Sequence, residues 1–398
     1  MGAGTAQGGA CLLISGKERK NMEFVVFAGV LLLLFIFMIV QELIQTKNQE
    51  KLFKKYLREN YGKEPPKEYS LERFARLGSY LERHKEEKQL DDITWNDLGM
   101  DEVFRRIDRT YSAAGEEYLY YTLRNISCGR EALEHLEEVV NWLQEQENIK
   151  VRIQLLMKRL GHLGKYSLYD YLDNLDYLGE RSNRKIVLEN LLYLPFLLLL
   201  FVQPAMGTIG IVLCMLWHIM TYFREKKVIE PYIISFAYVL RLIDVCEELE
   251  KQKIPVYRRE LDELREALKS LRELRRGAYW VMAGNQGKIG GNPLDILADY
   301  LRMILHLDIW QFNLMLRKLR LKTNEVDRLL GITGYLDMAI SVGGFRRSLE
   351  GYCIPQLEEN ANKVYLHMEG GWHPLLTHPV KNSIRADRGV LLTGSNAS

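Results

Sequence analysis

The stretch "VLENLLYLPFLLLLFVQPAMGTIGIVLCMLWHIMTYF", residues 187–223, limits what this chain can fold into more than any other. It is strongly apolar, nearly free of charge and too long for one membrane crossing. Gln203, Pro204 and Gly207 interrupt it near the middle, where Pro and Gly favour a turn, so it parses as two short spans forming a hairpin. Arg181, Arg184 and Lys185 precede it and Arg224, Lys226 and Lys227 follow it. Cationic flanks on both sides place both ends of the hairpin in the cytoplasm. His218 is expected near the end of a span, at the interface.

A second uncharged run, "FVVFAGVLLLLFIFMIV" at residues 24–40, suits a single anchor helix over residues 22–45. It is longer than the apolar core of a cleaved signal peptide, and "QELIQTKNQEKLFKK" continues it in helical style. Lys47, Lys51, Lys54, Lys55 and Arg58 outweigh Lys17, Arg19 and Lys20, which puts the N-terminus outside. Residues 1–21 are Gly- and Ala-rich and are expected to be disordered or non-native, with Met22 a candidate start. The expected location is the cell membrane, multi-pass, with the main domains cytoplasmic and the lipid bilayer as a partner.

Outside these runs the pattern is helical. In residues 46–186, Leu71, Phe74, Leu77 and Leu81 recur at helical spacing after a Pro-Pro break, as do Leu133, Leu136, Val140 and Leu143. Residues 225–276 read as one or two helices with a break at Pro255. Leu261, Leu264, Leu268 and Leu271 form an apolar packing stripe there, and Gly277 ends it. Another long helix is expected from Asn292-Pro293 through Trp310, Leu316 and Leu329. The basic run "RKLRLK", residues 317–322, is read as a solvated helix face. With 54 Lys and Arg against 52 Asp and Glu, net charge gives no global argument for nucleic acid. Cys11, Cys128, Cys214, Cys246 and Cys353 have no metal spacing and read as reduced, mostly buried thiols. The glycine-rich segment 277–293 lacks the GK[ST] of a phosphate loop and reads as a connector.

The last residues, "GVLLTGSNAS", are different. Val390 to Thr393 read as the end of a buried strand. Gly394, Ser395, Asn396, Ala397 and Ser398 fill the first five places of GxxxxGK[ST]. Such a loop cradles phosphate oxygens on backbone N–H groups, its lysine charges the outer phosphates, and its Ser or Thr holds magnesium. Upstream lies a short alternating strand (Val364, Leu366, Met368), then His373-Pro374, then Pro379-Val380-Lys381-Asn382.

In that order and spacing the chain resembles the MutS family of mismatch-repair ATPases. The stretch "DEVFRRIDRTYSAAGEEYLYYTLRN", residues 101–125, is similar to the start of the family's core domain. "GYLDMAISVGGFRRSLEGYCIPQLEE", residues 334–359, is similar to the helix that runs down its lever into the ATPase domain. The fold expected is therefore mainly α: transmembrane helices and a MutS-like helical core/lever, leading into the first strands of a C-terminal α/β P-loop ATPase domain. The domains expected are the anchor, a cytoplasmic helical region at 46–186, the hairpin at 187–224, a helical core/lever at 225–366 and the start of the ATPase domain at 367–398.

The resemblance implies a nucleotide site of Gly394 to Ser398 with His373, Val380 and Asn382. It implies ATP and Mg2+ as cofactors of the intact protein, DNA as a further partner, and a homodimer with ATP at its interface. Departures from the family weigh against mismatch recognition. The only Phe-x-Glu is Phe223-Arg224-Glu225 at a span edge, there is no room for a clamp domain, and Pro379 stands where an aromatic residue packs on adenine. We expect the record to be cut inside the phosphate loop. Without its lysine and a magnesium carboxylate, the 398-residue chain is not expected to hydrolyse ATP. The alternative from another class is a membrane-bound helical scaffold with no nucleotide or DNA role.

Overall fold

A computed structural model describes residues 36–41, 44–63, 69, 71–86, 88–126, 129–164, 166–275, 300–357, 365–376 and 378–391. The chain divides into two units, residues 1–56 with 287–300, and residues 57–286 with 301–398. In the first unit, residues 36–41 and 44–56 are helical, and Ile36, Phe37, Val40 and Ile44 are exposed. The Phe53 and Tyr56 rings stack at 5.8 Å. Residues 22–35 of the expected anchor lie outside the described residues.

The second unit is mainly helical. Helix α1 (residues 44–60) ends in it, followed by α2 (Leu71–Arg83), α3 (Asp92–Asp97), α4 (Met100–Ile107), α5 (Ala113–Arg124), α6 (Arg130–Glu145) and α7 (Glu147–Leu160). Next come α8 (Leu168–Leu172), α9 (Arg184–Leu191), α10 (Tyr193–Val202), α11 (Pro204–Glu250), α12 (Arg258–Leu271), α13 (Leu307–Leu319) and α14 (Thr323–Arg347).

Helix α14 is the central packing element. Its Leu329, Leu336, Ala339 and Ile340 are buried with Val140 and Leu143 of α6, Ile153 and Met157 of α7, and Leu264 and Leu268 of α12. The expected leucine stripe of α12 is buried at all four positions. The expected break at Pro255 is present, as a short 3-10 turn Pro255–Tyr257 between α11 and α12.

The long apolar stretch folds back on itself at Gln203, whose backbone leaves helical geometry while Pro204 takes the first position of α11. Gly207 is not part of the turn. It lies inside α11, where an added Cβ would stand 2.6 Å from the Leu200 main-chain nitrogen. Glycine is needed there for close helix approach, not for chain reversal. Helices α10 and α11 show exposed Leu198, Phe201, Val202, Leu213, Trp217 and Met220. The segments Arg184–Val202 and Pro204–Glu250 are long and apolar enough to cross a membrane, by length and composition. The second continues as one 47-residue helix through Pro231 into the interior, where Phe236, Tyr238, Ile243, Cys246 and Leu249 are buried.

Two expectations are corrected here, on the long helix and on the basic run, and the surroundings of His218 are defined. The helix expected from residue 292 through Leu329 is interrupted twice, at His306, which adopts left-handed φ of 53°, and at residues 320–322 between α13 and α14. His218 is fully buried between α10 and α11, with Nδ1 at 2.6 Å from the Tyr193 hydroxyl, because a partner helix covers it. In the basic run, Arg320 donates to the Leu175 and Gly179 carbonyls at 2.7 and 2.9 Å, and Lys322 to that of Ser270. These two cations close neighbouring turns and are not free on a solvated face. Of the described cysteines, Cys246 is buried, Cys214 half-buried and Cys353 exposed, all as free thiols.

The described strands are β1 (Leu366–Gly371) and β2 (Asn382–Ala386), an antiparallel pair with Met368 opposite Ile384 and an irregularity before Gly371. Leu366 and Met368 are exposed, as are Val390 and Leu391, which form no strand. The expected buried strand end is therefore not seen at Val390 and Leu391. Two strands alone offer no second layer to bury them.

Candidate functional site

The expected nucleotide residues fall into two sets. Gly394, Ser395, Asn396, Ala397 and Ser398 lie outside the described residues. His373, Val380 and Asn382 are brought together at one end of the β1–β2 hairpin. Asn382 pairs with Gly371, and its Nδ2 donates to the Val380 carbonyl at 3.1 Å. The His373 carbonyl accepts from the Leu376 N–H at 3.1 Å, and its Nδ1 from that of Leu375 at 3.3 Å. These bonds shape the connecting loop and leave the His373 and Val380 side chains exposed.

A second polar constellation lies inside the helical unit, where α5 starts against α14. Ser112 caps α5, its hydroxyl accepting from the Gly115 N–H at 3.1 Å. The same hydroxyl donates to Asp337 Oδ2 at 2.6 Å, and the Ser112 and Tyr111 N–H groups donate to that oxygen at 2.8 and 3.0 Å. A carboxylate at the first turn of a helix meets its positive end and its orphan donors. One turn further along α14, Ser341 accepts from the Arg109 N–H at 2.7 Å and donates to the Ile107 carbonyl at 2.9 Å. Glycines permit the approach. A Cβ on Gly115 would fall 2.4 Å from Asp337, and one on Gly334 would fall 2.6 Å from the Ala114 carbonyl oxygen.

Charged groups surround this joint. Asp108, fully buried, accepts from the Thr110 N–H and hydroxyl at 2.8 and 2.6 Å and from the Tyr69 hydroxyl. Glu116 is buried with Arg73 at 2.6 Å, Arg76 at 2.9 Å and His162 at 3.3 Å. Burial alone would raise the Glu116 carboxyl, but His162 and Arg73 hold it below its ordinary range. Glu117 has no such cage. Burial pushes its carboxyl up to about 8, although the Ser167 hydroxyl donates to it at 3.0 Å. Thus two adjacent carboxyls differ in charge at neutral pH. A small cavity beside Glu117 is lined by Tyr80, Tyr169, Tyr238 and Leu330. On the neighbouring face, Asp327 of α14 meets His84 at 3.0 Å and the Tyr169 hydroxyl at 2.7 Å.

Sequence reasoning passed over Ser112, Glu117 and Asp337. Ser112, directly before a helical run, is the residue type that caps helices, and that was its one local signal. No sequence signal links it to position 337. Among the described residues, no group of three or more His, Cys, Asp and Glu is arranged to hold a metal ion. No protein family, curated protein or solved structure matches this chain.

Proposed function

We propose that this chain is the membrane-attached, MutS-like part of a protein whose intact form binds ATP with Mg2+ and passes its state through packed helices. One observation carries the reading. The two stretches whose residues resemble the MutS core and lever, 101–125 and 334–359, are joined through Asp337, Ser341, Ser112 and Arg109 across more than two hundred residues of chain. A core-to-lever joint needs such a rigid link, made of hydrogen-bonded polar groups and close glycine contacts. Two helical stretches suited to a bilayer support attachment to the cell membrane. In this reading His373, Val380 and Asn382 frame a nucleotide edge completed by Gly394 to Ser398 and by residues beyond. The homodimer and the DNA partner belong to the same proposal.

The test is to read the coding DNA past Ser398 and to measure ATP binding by the product. In-frame Gly-Lys-Ser or Gly-Lys-Thr with Mg2+-dependent ATP binding supports the proposal. A stop codon, or an extended chain that ignores ATP, leaves the helical membrane scaffold as the better reading. Salt-sensitive DNA binding would support the DNA part, because phosphate contacts release counterions. Salt-insensitive association with a protein instead would favour the scaffold.

A further inference from the structure

The two arms of the apolar hairpin run antiparallel in a register set by their contacts. Gly207 lies against Leu200, Gly210 against the Phe196 ring, His218 bonds Tyr193, and Glu225 faces Arg181 and Lys185. Residues 181–185 and 224–227 therefore share one end of the hairpin, where its continuous exposed apolar surface gives way to charge at Val187 and Phe223, with Val228 exposed beyond the cations. Six cations gather there, and three are engaged. Arg181 and Lys185 pair with Glu225 at 2.5 and 3.6 Å, and Lys226 donates to the Tyr222 hydroxyl at 3.0 Å. Arg184, Arg224 and Lys227 are exposed, with no side-chain hydrogen bond or ion pair to the described residues. The opposite end, at Gln203 and Pro204, carries no charge.

From Pro204 to Phe223 a helix rises roughly 30 Å, the thickness of a hydrocarbon core. With the uncharged tip inserted, the three free cations stand at headgroup depth on one side only. We propose that Arg184, Arg224 and Lys227 form a collar that selects anionic phospholipid headgroups, a proposal that rests on the membrane reading above. A phosphodiester without a neighbouring ammonium keeps its full negative charge for these side chains, whereas a zwitterionic headgroup cancels part of it. Arginine adds a planar fork that matches phosphate oxygens. The apolar belt next to the collar argues for lipid over nucleic acid, whose binding would leave that belt in water.

The test uses the full chain in vesicles of phosphatidylcholine alone and of phosphatidylcholine mixed with phosphatidylglycerol. After an alkaline wash, the protein is extracted in detergent and the lipid that stays with it is measured. The expected result is phosphatidylglycerol enrichment that falls with added salt, with about a fivefold loss per cation removed across R184Q, R224Q and K227Q. The charge-matched variant R130Q/R259Q/K269Q, altered far from the hairpin, should keep the enrichment. Wash-resistant insertion with equal lipid retention by wild type and the triple variant would overturn the collar and leave the membrane reading standing. Failure to insert into either vesicle would overturn both.

Discussion

Asp337 and Ser112, 225 residues apart in the chain, are joined by two hydrogen bonds to one carboxylate oxygen, from the serine hydroxyl at 2.6 Å and its N–H at 2.8 Å. Ser112 thus caps α5 and docks it on α14 with one side chain. Replacing Asp337 by Ala strands three buried donors, and the expected cost is about 3 kcal/mol or more. Asn at 337 keeps one acceptor and should cost less. Denaturant unfolding of the two variants in the same detergent checks the order.

The glycines at the same crossing give a sharper contrast. An Ala at Gly334 must push against the Ala114 backbone, which cannot yield as a side chain does, and should destabilise by about 1–3 kcal/mol. Gly78 in α2 has open space around its missing Cβ, so Gly78→Ala should stabilise by about 0.5–1 kcal/mol. Thermal midpoints moving the same way in both variants would refute this account.

Glu117 makes stability depend on pH. Its folded pKa of about 8 lies above the ordinary value of 4.5, so between those limits the folded state holds a proton that the unfolded state has released. Unfolding free energy should therefore fall as pH rises from 4.5 to 8, by at most about 1.4 kcal/mol per pH unit. Glu117→Gln keeps an acceptor for the Ser167 hydroxyl and should flatten that slope. An unchanged slope in the variant would place the titration elsewhere.

His84 acts in a neighbouring window. Burial works against its charged form, but the Asp327 bond outweighs burial and raises its pKa above 6.5. Its contribution is complete below pH 6.5 and is lost as pH rises through the folded value. Asp327 is lowered, against its own burial, by His84 and Tyr169, so its share is lost as pH falls below the ordinary 3.8. Half-exposure of His84 keeps the pair to under about 1 kcal/mol. A proton NMR titration of His84 should give a value above 6.5 that drops in Asp327→Asn.

Arg320 tests the reading of the basic run. Its guanidinium holds two main-chain carbonyls that follow α8. Arg320→Ala should cost about 1–3 kcal/mol in unfolding free energy. Arg317, which lies in the same run, serves as the comparison, and Arg317→Ala should cost less than about 0.5 kcal/mol. Equal costs would make the run a uniform solvated face after all.

What the sequence made legible was local. The α12 stripe and the Pro255 break follow from helical periodicity and from proline's missing N–H, which act within a few residues. The turn at Gln203 was legible for the same reason. His306 was not, because a histidine at positive φ has no sequence signature and is held by tertiary contacts. Asp337 was opaque too: its role depends on donors two hundred residues away. Val390 and Leu391 form no strand among the described residues, because an apolar pair becomes a strand only when a sheet accepts it. Of the expected nucleotide residues, His373, Val380 and Asn382 were grouped by the family resemblance alone, and the hydrogen bonds with which they shape their loop had no sequence signal.

The continuity of α11 has a mechanical consequence. Over 47 residues it spans about 70 Å without a break in its hydrogen-bonded ladder except the donor missing at Pro231. Apart from bending at the interior proline, such a helix passes motion at one end on to the other. A few degrees of tilt where Trp217 and Phe223 face outward become several ångströms of travel at Cys246 and Leu249. On the membrane reading proposed above, bilayer thickness and curvature would reach the packing around α12 and α14 through this one helix.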